Sequence, residues 1–384
     1  MSLPTPNSQP DTPEARRYNQ IKRWLGMADL VLGIGFLVVL LLTGWTRTLR
    51  DLALHSAKEN YLLALFLYIL FLSILSKVIS LGLDIYSFRL EHQFHLSNQK
   101  VGSWIFDEIK GWLVGLVIGT ILAEIVYGLM RTSPERWWIF AWIIFIGLYV
   151  FFAQVAPIVL FPLFYKFAPL QDEELKSRLM RLGEKAGTRI RGVYEWKLSE
   201  KSKKANAALT GLGNTRRIIL ADTLLQNYST DEIEAVLAHE LGHHVHGHII
   251  KSIVVEGGVT LVGFWAANWV LQYAIHQRHM FLQLTDFANM PLLVLVSSVL
   301  SLILMPALNA YSRFNERQAD LYCWKSVPSI TPFVTAMQKL TTQNLSERNP
   351  SRVVEILFHS HPSISKRIAA AETWAQKHRP SLAT

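Results

Sequence analysis

The chain has 384 residues, 51% of them hydrophobic and only 17% charged, with a formal net charge of +9. Soluble domains usually carry about 25% charged residues, so the composition points to a lipid environment rather than to two or three ordinary soluble domains. The basic residues flank apolar segments, which suits a bilayer surface; nucleic acid is not expected as a partner.

Residues 1–27 read as a disordered cytoplasmic tail, rich in Pro, Ser, Thr and Gln before Arg16. Six segments, near 28–45, 61–85, 112–130, 137–161, 252–273 and 290–308, are apolar over the roughly 20 residues that a membrane helix needs. The first is too long for a cleavable signal and lacks a small-x-small site. The C-terminus carries no lipidation box. The expected fold class is therefore mainly α: a polytopic membrane protein of about six transmembrane helices with a small cytoplasmic α/β insert. Four helices fall in 28–163, the soluble insert in 164–251, two helices in 252–309 and a cytoplasmic C-terminal segment in 310–384.

Arg16, Arg17, Lys22 and Arg23 lie before the first span, and Lys201, Lys203 and Lys204 in the insert. The loop after the fifth span has only Arg278. The positive-inside rule then places both termini and the insert in the cytoplasm, in a bacterial inner membrane or the endoplasmic reticulum, although Arg47, Arg50 and Lys58 run against it. Lys77, Glu124 and Glu256 are costly in lipid and are expected to face the bundle interior or a wet cavity.

In the insert, 171–187 reads as a helix with Leu175, Leu179 and Leu182 at helical spacing and Gly187 as its stop. Strand-like runs follow at 192–197, 205–210 and 216–220, the last two joined as a hairpin by Gly211-Leu212-Gly213-Asn214. Ser229 and Glu232 form a capping box that opens a helix containing His239-Glu240-Leu241-Gly242-His243. Residues four apart on a helix lie on one face, so His239 and His243 can bind one zinc ion while Glu240 faces a water on it. This is the H-E-x-x-H arrangement of zinc peptidases. The single Cys323 cannot form an intrachain disulfide or a thiolate cluster, so the remaining ligand must be sought among carboxylates. Glu316 and Asp320 share one helix face beyond the last span. Glu316 as ligand with Asp320 holding a histidine N–H is one reading; a solvated face of ion pairs with Arg317 is the other. His361-Pro362 reads as an ordinary loop on spacing alone. His244, His246 and His248 stay unassigned, with His248 better suited to supporting the site than to ligating.

At this point the sequence resembles the type I CAAX prenyl endoproteases, the sterile-24-type membrane zinc metallopeptidases. The similarity rests on 91–98 with Phe106-Asp107, on PIVLFPLFYKFAPL at 157–170, on NAALTGLGNTRRIILADTLL at 206–225, on His239–His243, on 312–320, and on HPSISKRI at 361–368. Well-known members have seven spans, whereas six are counted here. The resemblance implies one Zn2+ per chain held by His239, His243 and Glu316, with Asp320 and Arg313 behind the ligands. Glu240, His361 and Arg367 would be the catalytic residues, His361 stabilising the oxyanion. Asn206, Ala207, Ala208, Leu209, Thr210 and Gly211 would pair as an edge strand with an extended peptide or protein C-terminus, including prenylated ones. The alternatives are an HtpX-type membrane quality-control protease and, in a different class, a membrane scaffold with a vestigial zinc site.

Overall fold

The computed structural model describes residues 11–378 except Leu212, and the backbone alone of Asn214. The amino-terminal half is α1 (Pro13–Thr43), the short α2 (Trp45–Ser56), α3 (Tyr61–Gln93), α4 (Val101–Thr132) and α5 (Trp137–Val155). A π turn over Ala156–Leu160 then leads into α6 (Phe161–Phe164). Pro157 lacks an N–H, so the regular ladder cannot run through this point, and the wide turn is how the helix passes it.

The tail expected over 1–27 is corrected here. Residues 1–10 lie outside the described residues, but from Pro13 the chain is helical. Thr12 caps this helix, its Oγ1 accepting the Ala15 N–H at 3.1 Å, with Pro13 opening the first turn. Tyr18 is buried and its hydroxyl donates to Glu91 Oε1 at 2.6 Å, which ties the helix down. The cap-and-proline pair Thr12-Pro13 was the local signal for it.

The soluble insert contains β1 (Phe167–Pro169), α7 (Glu173–Lys185), β2 (Gly192–Trp196), β3 (Ala207–Thr210), β4 (Arg217–Ala221) and α8 (Asp222–Asn227). The sheet order is β1-β2-β4-β3, with β2 and β4 parallel and the outer pairs antiparallel. The hairpin expected of β3 and β4 forms, which leaves β3 on an edge. Gly211 makes its turn possible: φ is +89°, and a Cβ there would stand 2.7 Å from the Thr215 carbonyl oxygen.

Next come α9 (Thr230–Val245), α10 (His248–His276), α11 (Met290–Ser326), α12 (Thr331–Gln343), α13 (Arg352–Phe358) and α14 (Ile364–His378). Leu175, Leu179 and Leu182 of α7, Ile218 and Leu220 of β4, and Ile233, Leu237 and Leu241 of α9 form the buried core under the sheet. Each such leucine stabilises the fold by about 1.5–3 kcal/mol, enough to hold α9 rigidly against the sheet.

Among the described residues, six helices are long and apolar enough to cross a membrane: Pro13–Thr43, Tyr61–Gln93, Val101–Thr132, Trp137–Phe164, His248–His276 and Phe287–Ser326. Of the intramembrane charges, Lys77 pairs with Asp84 (2.8 Å) and Glu108 (2.5 Å). Glu256 lines a cavity of about 330 Å3, and Glu124 keeps one buried oxygen without a partner among the described residues.

Candidate metal centre

The capping box that opens α9 is intact: the Ser229 N–H donates to Glu232 Oε2 at 2.8 Å, and the Glu232 N–H donates to Ser229 Oγ at 3.3 Å. Three turns on, His239 is buried and His243 half-buried, facing α11. The two helices touch where Gly242 meets Ala319; a Cβ on Gly242 would lie 2.8 Å from the Ala319 Cα and 2.9 Å from its carbonyl oxygen. Only glycine allows this approach. One turn above, the buried Cys323 donates its S–H to the Ala235 carbonyl at 3.2 Å and ties the same pair together.

This approach brings Glu316 of α11 to the histidines. His239 Nε2 and His243 Nε2 are 3.3 Å apart. Glu316 Oε2 is 3.3 Å from the first and Oε1 is 3.2 Å from the second. A tetrahedral ion with bonds of about 2.0–2.1 Å spaces its ligands about 3.3–3.4 Å apart, so the three side chains already stand at that spacing. His361 Nδ1 lies 2.8 Å from Glu316 Oε2 but off the hydrogen-bond direction, so this buried oxygen has no hydrogen bond. A buried carboxylate oxygen is seldom left so, and an ion between the three residues satisfies it. The donor set fits a metal, with one position left for water.

The second nitrogens of both histidines are held from behind. His239 Nδ1 is 2.9 Å from Asp320 Oδ1. Arg367 forks onto Asp320, Nε to Oδ2 at 2.8 Å and Nη2 to Oδ1 at 2.6 Å. Burial lowers the basicity of His239, but the Asp320 and Glu316 carboxylates beside its ring outweigh this and push its pKa up to about 9. His243 Nδ1 is 3.0 Å from His248 Nδ1, and His248 Nε2 is 2.9 Å from Gln318 Oε1. Because Gln318 Oε1 can only accept, His248 carries its proton on Nε2 and accepts the His243 Nδ1–H. The lone pair of His243 Nε2 is thereby free for the ion. Neither Gln318 nor this relay was visible from spacing, since α11 meets α9 only in three dimensions. His244 is pushed down to about 4 by burial and by Arg216, and is neutral.

Two expected placements change. The Arg367 side chain, 10% exposed, forks onto Asp320, an arrangement suited to holding Asp320 and His239 in place. Arg313 touches no ligand; its Nη1 donates to the carbonyls of Glu355 (3.0 Å) and His359 (2.6 Å) and holds the loop that carries His361. His361 is 61% exposed at the rim. Glu240 is half-buried and has no hydrogen-bond or ion-pair partner among the described residues.

β3 packs beside α9. The Asn206 carbonyl accepts the Ala221 N–H at 3.0 Å, and Ala207 stands opposite Leu220. Antiparallel alternation then turns the backbone groups of Ala208 and Thr210 toward β4 and those of Ala207 and Leu209 toward the free edge.

Residues 169–375 match peptidase family M48, and residues 7–166 match the family described as CAAX prenyl protease N-terminal, five membrane helices. That region holds four span-length helices and the short α2. The chain is 30% identical to an uncharacterized metalloprotease of Bacillus subtilis, over 93% of this chain and 84% of that protein. It is 29% identical to CAAX prenyl protease 1 of Saccharomyces cerevisiae, over 80% and 72%. The crystal structure of S. mikatae Ste24p superposes with a TM-score of 0.85 at 24% identity, covering 96% of this chain and 91% of that one, which shows a common fold. With six span-length helices below such a centre, the chain belongs to peptidase family M48, as a multi-pass membrane metallopeptidase of the CAAX prenyl protease kind whose metal is typically zinc.

Proposed function

We propose that the chain holds one zinc ion on His239, His243 and Glu316 and hydrolyses peptide bonds near the C-terminus of prenylated or other membrane-associated peptides. The observation that carries this reading is the set of three donor atoms 3.2–3.3 Å apart around a buried, unbonded carboxylate oxygen. Zinc, when bound, supplies a Lewis acid that polarises the scissile carbonyl and acidifies water. Glu240 accepts the proton of the attacking water and delivers it to the leaving amine. His361 donates an N–H to the carbonyl oxygen as charge develops there. Arg367 and Asp320 keep the proton of His239 on Nδ1, and His248 does the same for His243. The free edge of β3 aligns the substrate as an added strand.

An apolar cavity on the membrane side of this site could take the lipid of a modified substrate. This cavity of about 890 Å3 between α1, α4, α5, α10 and α11 is lined by Leu30, Val126, Phe145, Phe264, Leu293 and Met305. It shares Leu308 and Asn309 with the 330 Å3 cavity, which reaches Asn315 beside Glu316. The excess of lysine and arginine in the insert favours the cytoplasmic side for the site; a reporter fused at Lys203 should then read cytoplasmic and one near His279 should not.

The deciding experiment measures zinc content and hydrolysis of farnesylated and unmodified peptides by wild type and Glu240→Gln. We expect about one zinc per chain in both proteins and turnover in the wild type alone. Undiminished hydrolysis by Glu240→Gln, or by protein stripped of metal, would overturn the reading. Equal cleavage of both peptides would leave a general membrane protease instead.

A further inference from the structure

Behind the metal centre lies a second cavity, of about 380 Å3, where α11, α13 and α14 meet. Arg313, Arg317, Asp320 and Trp324 line it from α11, at steps of four, three and four, which form one helix face. Arg352, Glu355 and Ile356 line it from α13, and Lys366, Arg367 and Ala370 from α14. Five cations and two carboxylates face this small volume, a surplus of three positive charges.

The carboxylates do not offset the surplus, because both are engaged. Asp320 is held by Arg367 and His239. Glu355 is held by Lys366 and accepts the Ser363 N–H at 3.2 Å. Arg313 donates to neutral carbonyls. Arg317 and Arg352, on different helices, are exposed and have no hydrogen-bond or ion-pair partner among the described residues. Guanidinium groups gathered in this way repel one another unless an anion joins them, and their planar forks match phosphate oxygens.

The position narrows the source. The apolar run of α11 ends at Leu308; at 1.5 Å per residue, Arg313 and Arg317 lie about 7 and about 13 Å beyond it. The headgroup layer reaches about 5–7 Å outside the hydrocarbon core, so Arg313 lies at its outer edge and Arg317 one helical turn further out. Beside the cavity, Phe314, Val353, Ile356 and Phe358 are 40–65% exposed, an apolar rim on which acyl chains can rest.

We propose that this cavity binds a phosphate-bearing anion, the same chemistry being offered by an acidic phospholipid headgroup and by free phosphate. The cavity shares Asp320 and Arg367 with the support of the metal centre, but its anion binding does not depend on the peptide specificity proposed above. Purified protein in nanodiscs of phosphatidylcholine with or without phosphatidylglycerol, compared by lipid retention in native mass spectrometry and by melting temperature, separates the two sources. With a lipid source, the wild type retains phosphatidylglycerol and melts higher in its presence, and inorganic phosphate neither competes nor protects. With a free-phosphate source, inorganic phosphate alone raises the melting temperature. In either case Arg317→Ala/Arg352→Ala should weaken binding about thirtyfold, equivalent to about 1 kcal/mol per arginine. Zinc content should be unchanged. Should the double variant misfold, Arg352→Ala alone, on the exposed first turn of α13, serves the same comparison. Wild-type-like binding by a folded variant overturns the proposal, as does a wild type that neither distinguishes the two lipids nor responds to phosphate.

Discussion

Gly242 offers the sharpest test of how the fold builds the centre. An alanine there puts a methyl group 2.8 Å from the Ala319 Cα and 2.9 Å from its carbonyl oxygen. Both atoms are backbone, so no side-chain rotation relieves the contact. Carbon atoms rest at about 3.5–4.0 Å, so α9 and α11 must part by roughly 0.8 Å. His243 is the next residue on α9, and Glu316 is one turn below Ala319. The 3.2 Å separation of His243 Nε2 and Glu316 Oε1 would therefore open toward about 4 Å, beyond the edge of about 3.3–3.4 Å that a tetrahedral ion can span. Overpacking of this kind costs about 1–3 kcal/mol, and misplacing a ligand about 10–100-fold in metal affinity. Competition with a chromophoric chelator, alongside thermal unfolding, measures both. Adding Ala319→Gly should not restore the variant, because it relieves only the 3.2 Å contact with the Ala319 Cβ and leaves both backbone clashes. A Gly242→Ala protein that binds zinc as tightly as wild type would refute the argument.

Glu316→Ala should lose the metal, whereas Glu240→Gln should keep it and lose about 100- to 10,000-fold in turnover; stoichiometric zinc in Glu316→Ala would mean that another carboxylate is the ligand. With the His239 pKa pushed up to about 9, metal must displace a proton from this residue at neutral pH. Affinity should then rise about tenfold per pH unit and level off near pH 9; calorimetry in buffers of different ionisation enthalpy that finds no proton release would contradict this. On β3, Ala207→Pro should keep zinc and melting temperature but lose most of kcat/KM, because the donor it removes faces the free edge. Ala208→Pro should instead break the ladder to β4 and lower stability, and equal behaviour of the two variants would sink the edge-strand reading.

What could be read in the sequence was what is local. The capping box at Ser229 and the four-residue step from His239 to His243 lie within one helix, so the order of residues determines their geometry. The common face of Glu316 and Asp320 was equally readable. That this face meets α9 was not, since the contact depends on the space left by Gly242 and on Cys323, more than 70 residues away. The start of α1 was misjudged because composition outweighed the Thr12-Pro13 cap. β1 went unseen because three residues ending in Pro169 carry no alternation and exist as a strand only through pairing with β2. Arg313 and Arg367 were assigned through the family resemblance, whereas their partners, two loop carbonyls in one case and Asp320 in the other, are set by how α13 and α14 fold back onto α11.

α11 explains why a peptidase of this kind can be built across a membrane boundary. Its 37 residues, about 55 Å of helical rise, run as one continuous helix through Pro306, with the lower part crossing the bilayer and the upper part presenting Glu316, Asp320 and Cys323. Glu316 on that helix is therefore fixed in height relative to the lipid, while His239 and His243 come from α9, which is packed on the soluble sheet. The centre is complete only when the sheet is seated on the membrane bundle, so assembly of the two halves and formation of the metal site are one event. β3 belongs to the same rigid unit as α9, so a chain paired along its free edge is held at that height too. Under the proposed function, depth in the membrane, set by α11, would contribute to selecting the scissile bond, and a soluble fragment containing α9 and the sheet alone would keep both histidines and lack Glu316.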